Sequence, residues 1–198
     1  ATDTARYMGQ AVAAVVAETP AQALEAAECI AVEYEELPVL TSLKEAAAPD
    51  APRLWEEMPD NIAAAKTLGD AEAVEQAFAK AAHVTRLELV NSRLVGNPIE
   101  PRTSICDYDP ETGRRTLHVG HQSAWRLKNG LAHVLQADPE EFHIVIQDVG
   151  GGFGTKTPLY PEDVTLVYAV GKLKRPIKWR STRTEEFQAT LHARNQES

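Results

Sequence analysis

The sequence predicts an α+β protein built in two parts, and three stretches carry that expectation. An apolar run, a capped helix start and an alternating run succeed one another within about 35 residues, which reads as β-α-β. Asp109-Pro110-Glu111-Thr112-Gly113 lies between two strand-like runs and has the composition of a hairpin turn. The stretch from Asp148 to Lys156 places four glycines in five positions, between a strand-like stretch and a helix-like one.

Taken in order, residues 10–17 are apolar enough for a strand. Thr19 can cap the helix that follows, Pro20 suits its first position, and Gln22 completes a capping box; the helix should reach about Cys29. Residues 30–35 alternate apolar and polar, as a half-buried strand does. From Thr41 to Gly69 no period survives, and Pro49, Pro52 and Pro59 punctuate an Ala/Asp/Glu-rich stretch. So long a structureless link is unusual inside one compact domain. The expected division is therefore a domain over residues 1–45, a linker over 46–69 and a second domain over 70–198. Asp70 should cap a helix over 71–82, followed by a long strand over 84–94. The hairpin strands should span 103–108 and 115–119. A helix over 124–135 with Ser123 as cap, a strand over 143–147, a helix over 161–173 and a strand over 177–179 complete the reading.

The glycine-rich loop carries the chemistry. Bare glycines let the main chain approach a polar or anionic ligand and offer it N–H donors. A phosphate-binding P-loop needs Gly directly before Lys-Ser/Thr, and Thr155-Lys156-Thr157 lacks it. The dinucleotide fingerprint, started at Gly150, meets Thr155 where its last Gly belongs. A tight turn that binds nothing is the alternative, but a loop needing only flexibility has no use for the single aromatic Phe153.

Composition limits the remaining classes. The 198 residues carry 43% hydrophobic residues, enough for a core, and a net charge of −9, which argues against a nucleic-acid partner. No apolar run approaches the ~20 residues a membrane span requires. The first residues lack a charged-then-apolar signal pattern, so a cytoplasmic location is expected. Cys29 and Cys106 make no metal or cluster spacing and are expected to be buried free thiols. The histidines show no His-Glu-x-x-His pattern, Gly-x-Ser-x-Gly is absent, and no metal ligands are expected. Glu100 in Glu100-Pro101-Arg102 could serve as acid or base, but a structural Glu100–Arg102 pair is the favoured reading.

The loop Gly150-Gly151-Gly152-Phe153-Gly154 resembles the glycine-phenylalanine loop of the molybdenum hydroxylases: xanthine dehydrogenase, aldehyde oxidase and the carbon monoxide dehydrogenase large chain. Residues 9–17 and 32–39 resemble parts of that family's small N-terminal domain. Ile99-Glu100-Pro101-Arg102 and His121-Gln122 precede the loop, and Tyr160-Pro161-Glu162 and Arg175-Pro176-Ile177-Lys178-Trp179 follow it, in the family's order. The likeness covers essentially the whole chain. It implies a truncated hammerhead-type α/β domain followed by the first part of the molybdopterin-binding α+β domain.

The resemblance also implies roles. Gln122, at a strand-to-helix junction, matches a glutamine that contacts an oxo group on molybdenum, and is the expected catalytic residue. Gly151, Gly152, Phe153 and Gly154 match the segment that runs beside molybdopterin. Gly152→Val is expected to fill the cofactor's space and to conflict with a positive φ, whereas Lys156→Ala should leave the backbone cradle standing. Thr157 stands where xanthine-type members carry a glutamate that reads the purine, which speaks against purines. The reaction implied is oxidation of an aldehyde, an N-heterocycle or carbon monoxide with water as oxygen source. The catalytic base is expected in later loops. Iron–sulfur clusters and FAD are expected on partner subunits or domains, beside the remaining molybdopterin-binding polypeptide. Two other readings compete: a noncatalytic scaffold of the same ancestry, and an unrelated phosphate-binding α/β domain.

Overall fold

A computed structural model describes residues 3–197. Its elements, in chain order, are α1 (Pro20–Glu28), α2 (Leu43–Ala46), α3 (Ala71–Lys80), β1 (Val90–Asn91), β2 (Leu94–Val95), β3 (Thr103–Tyr108), β4 (Arg115–Val119), α4 (Ala124–Leu135), β5 (Phe142–Val145), α5 (Pro161–Leu173), β6 (Ile177–Arg180), α6 (Arg183–Ala189), β7 (His192–Ala193) and β8 (Gln196–Glu197). The fold is α+β, and it divides into two compact units, Ala1–Ile30 with Val90–Ser198, and Ala31–Leu89.

The larger unit is organised by a four-stranded sheet in the order β5-β4-β3-β6. Asp109 to Gly113 closes the β3–β4 hairpin: Gly113 N–H donates to Asp109 O at 2.8 Å, and the Asp109 carboxylate accepts from Thr112 and Glu111. β3 runs antiparallel to β4 and β6, whereas β4 and β5 are parallel with α4 as their crossover. Ser123 caps α4 by accepting from Arg126 N–H, and Gln136 ends it in the left-handed conformation, φ 51°. α4 and α5 lay their apolar stripes on one face of the sheet. Leu127, Leu131, Val167 and Val170 meet Cys106, Leu117 and Phe142 there, all essentially solvent-free. Each such side chain contributes roughly 1.5–3 kcal/mol on burial.

Several expected strands are not formed. Residues 10–17 and 30–35 have no strand, and only β1 and β2 remain of the run 84–94. Val12, Tyr34 and Leu87 are exposed. An alternating or apolar pattern fits an extended chain, but a strand also needs a ladder partner. Among the described residues these segments have none, apart from the short pairings β1–β8 and β2–β7. The helix between the first two of these runs is as expected: Thr19 and Gln22 close the capping box reciprocally, with contacts of 3.1 and 3.3 Å.

In the smaller unit, α2 and α3 are capped by Ser42 and Asp70. Asn61 fastens the turns between them: its Oδ1 accepts from Leu54 N–H at 2.9 Å, and its Nδ2 donates to Ala46 O and Pro52 O at 3.1 Å each. Of the two cysteines, Cys106 is buried and its thiol is pushed up to about 12 by desolvation, so it is unreactive. Cys29 is exposed, contrary to the expectation of two buried thiols, because it follows a short helix with no buried residue.

Candidate functional site

Sheet topology gathers the site. β4 and β5 are parallel, so their C-terminal ends lie side by side, and the antiparallel β3 brings its N-terminal end to the same place. Three segments therefore converge: residues 97–102 leading into β3, the 120–123 turn between β4 and α4, and the 148–160 loop between β5 and α5.

Gln122 sits in the second of these. His121, just before it, is buried and anchors the turn: its Nδ1 accepts from Ser123 N–H at 3.0 Å, which leaves Nε2 to donate to Pro158 O at 3.3 Å. Gln122 N–H donates to Lys156 O at 2.8 Å, and Lys156 N–H donates back to Gln122 Oε1 at 3.2 Å. The Gln122 side chain is thus tied at its oxygen end. The residue is exposed, and its Nε2 has no hydrogen-bond partner among the described residues.

The glycine loop folds over this amide. Thr155 N–H and Oγ1 both donate to Gly152 O, at 2.8 and 2.7 Å, closing a tight turn around Phe153 and Gly154. Both central residues have positive φ, 49° and 82°, as in the primed turns. A phenylalanine in that conformation costs on the order of 1–3 kcal/mol. The cost is not offset by burial of the ring, which is 75% exposed. Strain without compensating burial makes Phe153 a candidate functional position. The backbone N–H groups of Gly152, Phe153 and Gly154 have no acceptor among the described residues. With Gln122 Nε2 they form a patch of uncharged donors, suited to oxygen atoms of an anionic ligand.

Two sequence expectations need correction here. Gly152 does not have a positive φ; within the loop Gly151 and Gly154 do. The reason for Gly152 is close packing: a Cβ on it would lie 2.6 Å from Cδ and Oε1 of Gln122. A Cβ on Gly154 would meet open space, so Gly154 is the residue past which a ligand could approach. Glu100 does not pair with Arg102. Its Oε2 accepts from Lys156 Nζ at 2.6 Å and from Gly150 N–H at 2.7 Å. Those bonds, the lysine's foremost, outweigh desolvation and hold its carboxyl below the usual range, which makes it a poor general base. Lys156 is not an available charge either, since its side chain is only 1% exposed and spent on Glu100.

Arg102 turns to a second, buried network that the sequence reading did not anticipate. Its Nε meets Glu186 Oε1 at 3.2 Å, its terminal nitrogens meet Glu162, and the guanidinium lies 3.8 Å from the centre of the Tyr160 ring. Burial pulls the Arg102 pKa down, but Glu162 and Glu186 outweigh this and leave it raised. Tyr160 Oη donates to Thr155 O at 2.6 Å, so the network also holds the end of the glycine loop. Arg183 fastens the segment before β3, donating to Asn97, to Pro98 O at 2.7 Å and to Ile99 O at 2.7 Å. Among the described residues no three His, Cys, Asp or Glu side chains are grouped to hold a metal, and no helix is long and apolar enough to cross a membrane.

The chain belongs to the molybdenum hydroxylase family. The profile of the molybdopterin cofactor-binding domain matches residues 54–198, and that of the aldehyde oxidase and xanthine dehydrogenase a/b hammerhead domain matches residues 1–38. The chain is 35% identical over 195 residues to the 6-hydroxypseudooxynicotine dehydrogenase complex subunit gamma of Paenarthrobacter nicotinovorans, covering 98% of this chain and 24% of that protein. It is 30% identical over 207 residues to the carbon monoxide dehydrogenase large chain of Hydrogenophaga pseudoflava, covering 98% and 26%. The crystal structure of quinoline 2-oxidoreductase from Pseudomonas putida 86 superposes with a TM-score of 0.80 at 29% identity, covering 91% of this chain and 23% of that one. The chain thus spans about a quarter of the length of the curated relatives it matches. Family membership rules out an unrelated phosphate-binding domain and makes molybdopterin the cofactor of this fold. The uncharged donor patch fits that group, whose phosphate and oxo oxygens accept hydrogen bonds.

Proposed function

We propose that this chain forms one wall of the active site of a molybdopterin-dependent hydroxylase or dehydrogenase, which oxidises an aldehyde, an N-heterocycle or carbon monoxide with water as oxygen source. The donor patch at Gln122 and Gly152-Phe153-Gly154 carries the reading. When bound, the cofactor supplies the redox centre for substrate oxidation. Gln122 Nε2 donates to one of its oxygen atoms, and the loop N–H groups of residues 152–154 hold and orient it. Phe153, strained and exposed, shapes the pocket wall. The substrate classes are those in the relatives' names, quinoline being an N-heterocycle. The words "complex subunit" and "large chain" in those names support partner subunits, to which we assign iron–sulfur clusters and FAD, together with the remaining molybdopterin-binding polypeptide. The two free thiols suit a reducing, cytoplasmic setting.

The test is Gln122→Ala in the complete enzyme. One hydrogen bond to a charged acceptor is worth about 1.5–3 kcal/mol, so kcat should fall roughly ten- to a hundred-fold if the bond is made in the transition state. Molybdenum and pterin content, measured on the same sample, should stay near wild type. An unchanged kcat would make Gln122 a bystander, and wild-type enzyme lacking molybdenum and pterin would favour a noncatalytic scaffold of the same ancestry.

The 198-residue chain alone is expected to be inactive. Glu100, the carboxylate beside the glycine loop, is held ionised by Lys156 and is ill-suited to take a proton. Turnover of aldehydes, N-heterocycles or carbon monoxide with a dye acceptor, by this chain without partners, would overturn that expectation.

A further inference from the structure

We infer that the Glu100–Lys156 ion pair is a positioning device, which clamps both ends of the glycine loop and, through the Lys156 backbone, fixes the end of the Gln122 amide that faces the ligand. The inference rests on the proposed role of Gln122. A single carboxylate oxygen, Glu100 Oε2, takes the Gly150 N–H at one end of the loop and the Lys156 ammonium at the other. Glu100 N–H also donates to Gly150 O at 3.4 Å, so side chain and backbone hold the same loop residue. The loop from 150 to 156 is thereby closed into a ring on the segment that opens β3.

The other face of Lys156 acts on Gln122. Its N–H is an unambiguous donor, so the group it meets must be the amide oxygen. A flipped amide would set NH2 against N–H and lose the bond. The reciprocal bond from Gln122 N–H to Lys156 O fixes the same residue from its backbone. Lys156 therefore determines that Gln122 presents a donor and not an acceptor. The buried ammonium explains why the residue is lysine. A buried pair adds little net stability compared with apolar residues, but a charged tether with one partner gives the loop a single register. Hydrogen-bonded to Glu100 and shut off from solvent, Lys156 Nζ is not a phosphate contact.

Glu100→Gln alone strands a buried ammonium and is expected to fold poorly. Lys156→Met in the complete enzyme carries the test, because Glu100 is partly exposed and water can take over its oxygen. Three quantities are read: hydrogen exchange of the peptide spanning 148–158, pterin content, and kcat and KM per molybdenum. Lys156→Met should retain its pterin, exchange the loop amides at least about ten-fold faster, and lower kcat about ten-fold with KM within two-fold. Glu100→Gln/Lys156→Met should match Lys156→Met in all three, because the two groups act as one unit. A merely structural pair would lower the melting temperature but leave loop exchange and kcat per molybdenum at wild-type values, and that result overturns the inference. Additive losses in the double variant would overturn it too. Wild-type enzyme without pterin would sink the proposed function instead, and loop exchange in Lys156→Met would still judge the clamp.

Discussion

Gly152→Val in the complete enzyme is expected to lower turnover more than about a hundred-fold, a loss of roughly 2.7 kcal/mol or more in transition-state stabilisation. The cause is Gln122. A Cβ at position 152 would sit 2.6 Å from both Cδ and Oε1 of Gln122, and 2.9 Å from its Cγ, closer than real contacts allow. Either the amide leaves its bond with Lys156 or the loop lifts off it. Both outcomes misplace the donor patch, and lifting the loop also releases the cofactor. Circular dichroism should show a folded protein, pterin released by acid oxidation should be depleted, and kcat should fall. The decisive comparison uses a smaller change in two backgrounds. Gly152→Ala should be damaging when Gln122 is present and harmless when it is already alanine, because Gln122→Ala removes the three atoms that the new Cβ would meet most closely. If Gln122→Ala/Gly152→Ala is further impaired, by the product of the two single effects, packing against Gln122 is not what requires glycine at position 152.

That distinction was beyond the sequence. Four glycines and a phenylalanine announce a backbone-lined loop, but not which glycine serves which purpose. Gly152 is bare because another part of the protein needs the room, and Gly154 because the chain turns with φ 82° beside open space. The neighbour of Gly152 is 30 residues away in the chain, and only the parallel β4–β5 pairing brings the two together. Glu100 shows the same limit. Arg102, two residues along, was its obvious partner in sequence, yet the fold offers Glu100 a lysine 56 residues away. It offers Arg102 carboxylates 60 and 84 residues away.

Locally determined elements were legible. β3, β4, α4 and α5 begin and end where turn chemistry, caps and periodicity place them, because Asp109-Pro110, Ser123 and Pro161 act within a few residues of themselves. The runs at 10–17, 30–35 and 84–94 failed for the opposite reason. Extended backbone is a local preference, but the ladder that makes it a strand belongs to a partner that local pattern does not name. α6 went unread although Thr182 and Glu185 form a capping box, a signal that the sequence displays as Thr182-Arg183-Thr184-Glu185.

The buried arginine gives the largest expected effect on stability. Arg102→Met should destabilise the region around β3 by about 3–5 kcal/mol, since removing one partner of a buried ion pair leaves the other uncompensated. Glu186 bears most of that cost: its side chain is 2% exposed, and it loses the Arg102 Nε contact while keeping only the Arg102 N–H and a long bond from Thr190 Oγ1. Glu162 is better placed to lose its partner, being 19% exposed and in the first turn of α5, where the helix N-terminus favours negative charge. The contact of the guanidinium with the Tyr160 ring is lost as well. A multisubunit enzyme of the proposed kind would not give one unfolding free energy, so the measurement is hydrogen exchange of the β3 amides in the complete enzyme. A loss of that size should speed exchange through local opening by roughly 10²–10⁴-fold. Arg102→Met/Glu186→Gln should recover much of it, because a neutral amide needs no counter-ion and its oxygen can still accept from Arg102's successor at the same backbone N–H. Wild-type exchange in Arg102→Met would mean that the network is solvated in the working enzyme. A double variant no better than the single would place the cost on Glu162 or on the lost Tyr160 contact, and not on a stranded Glu186.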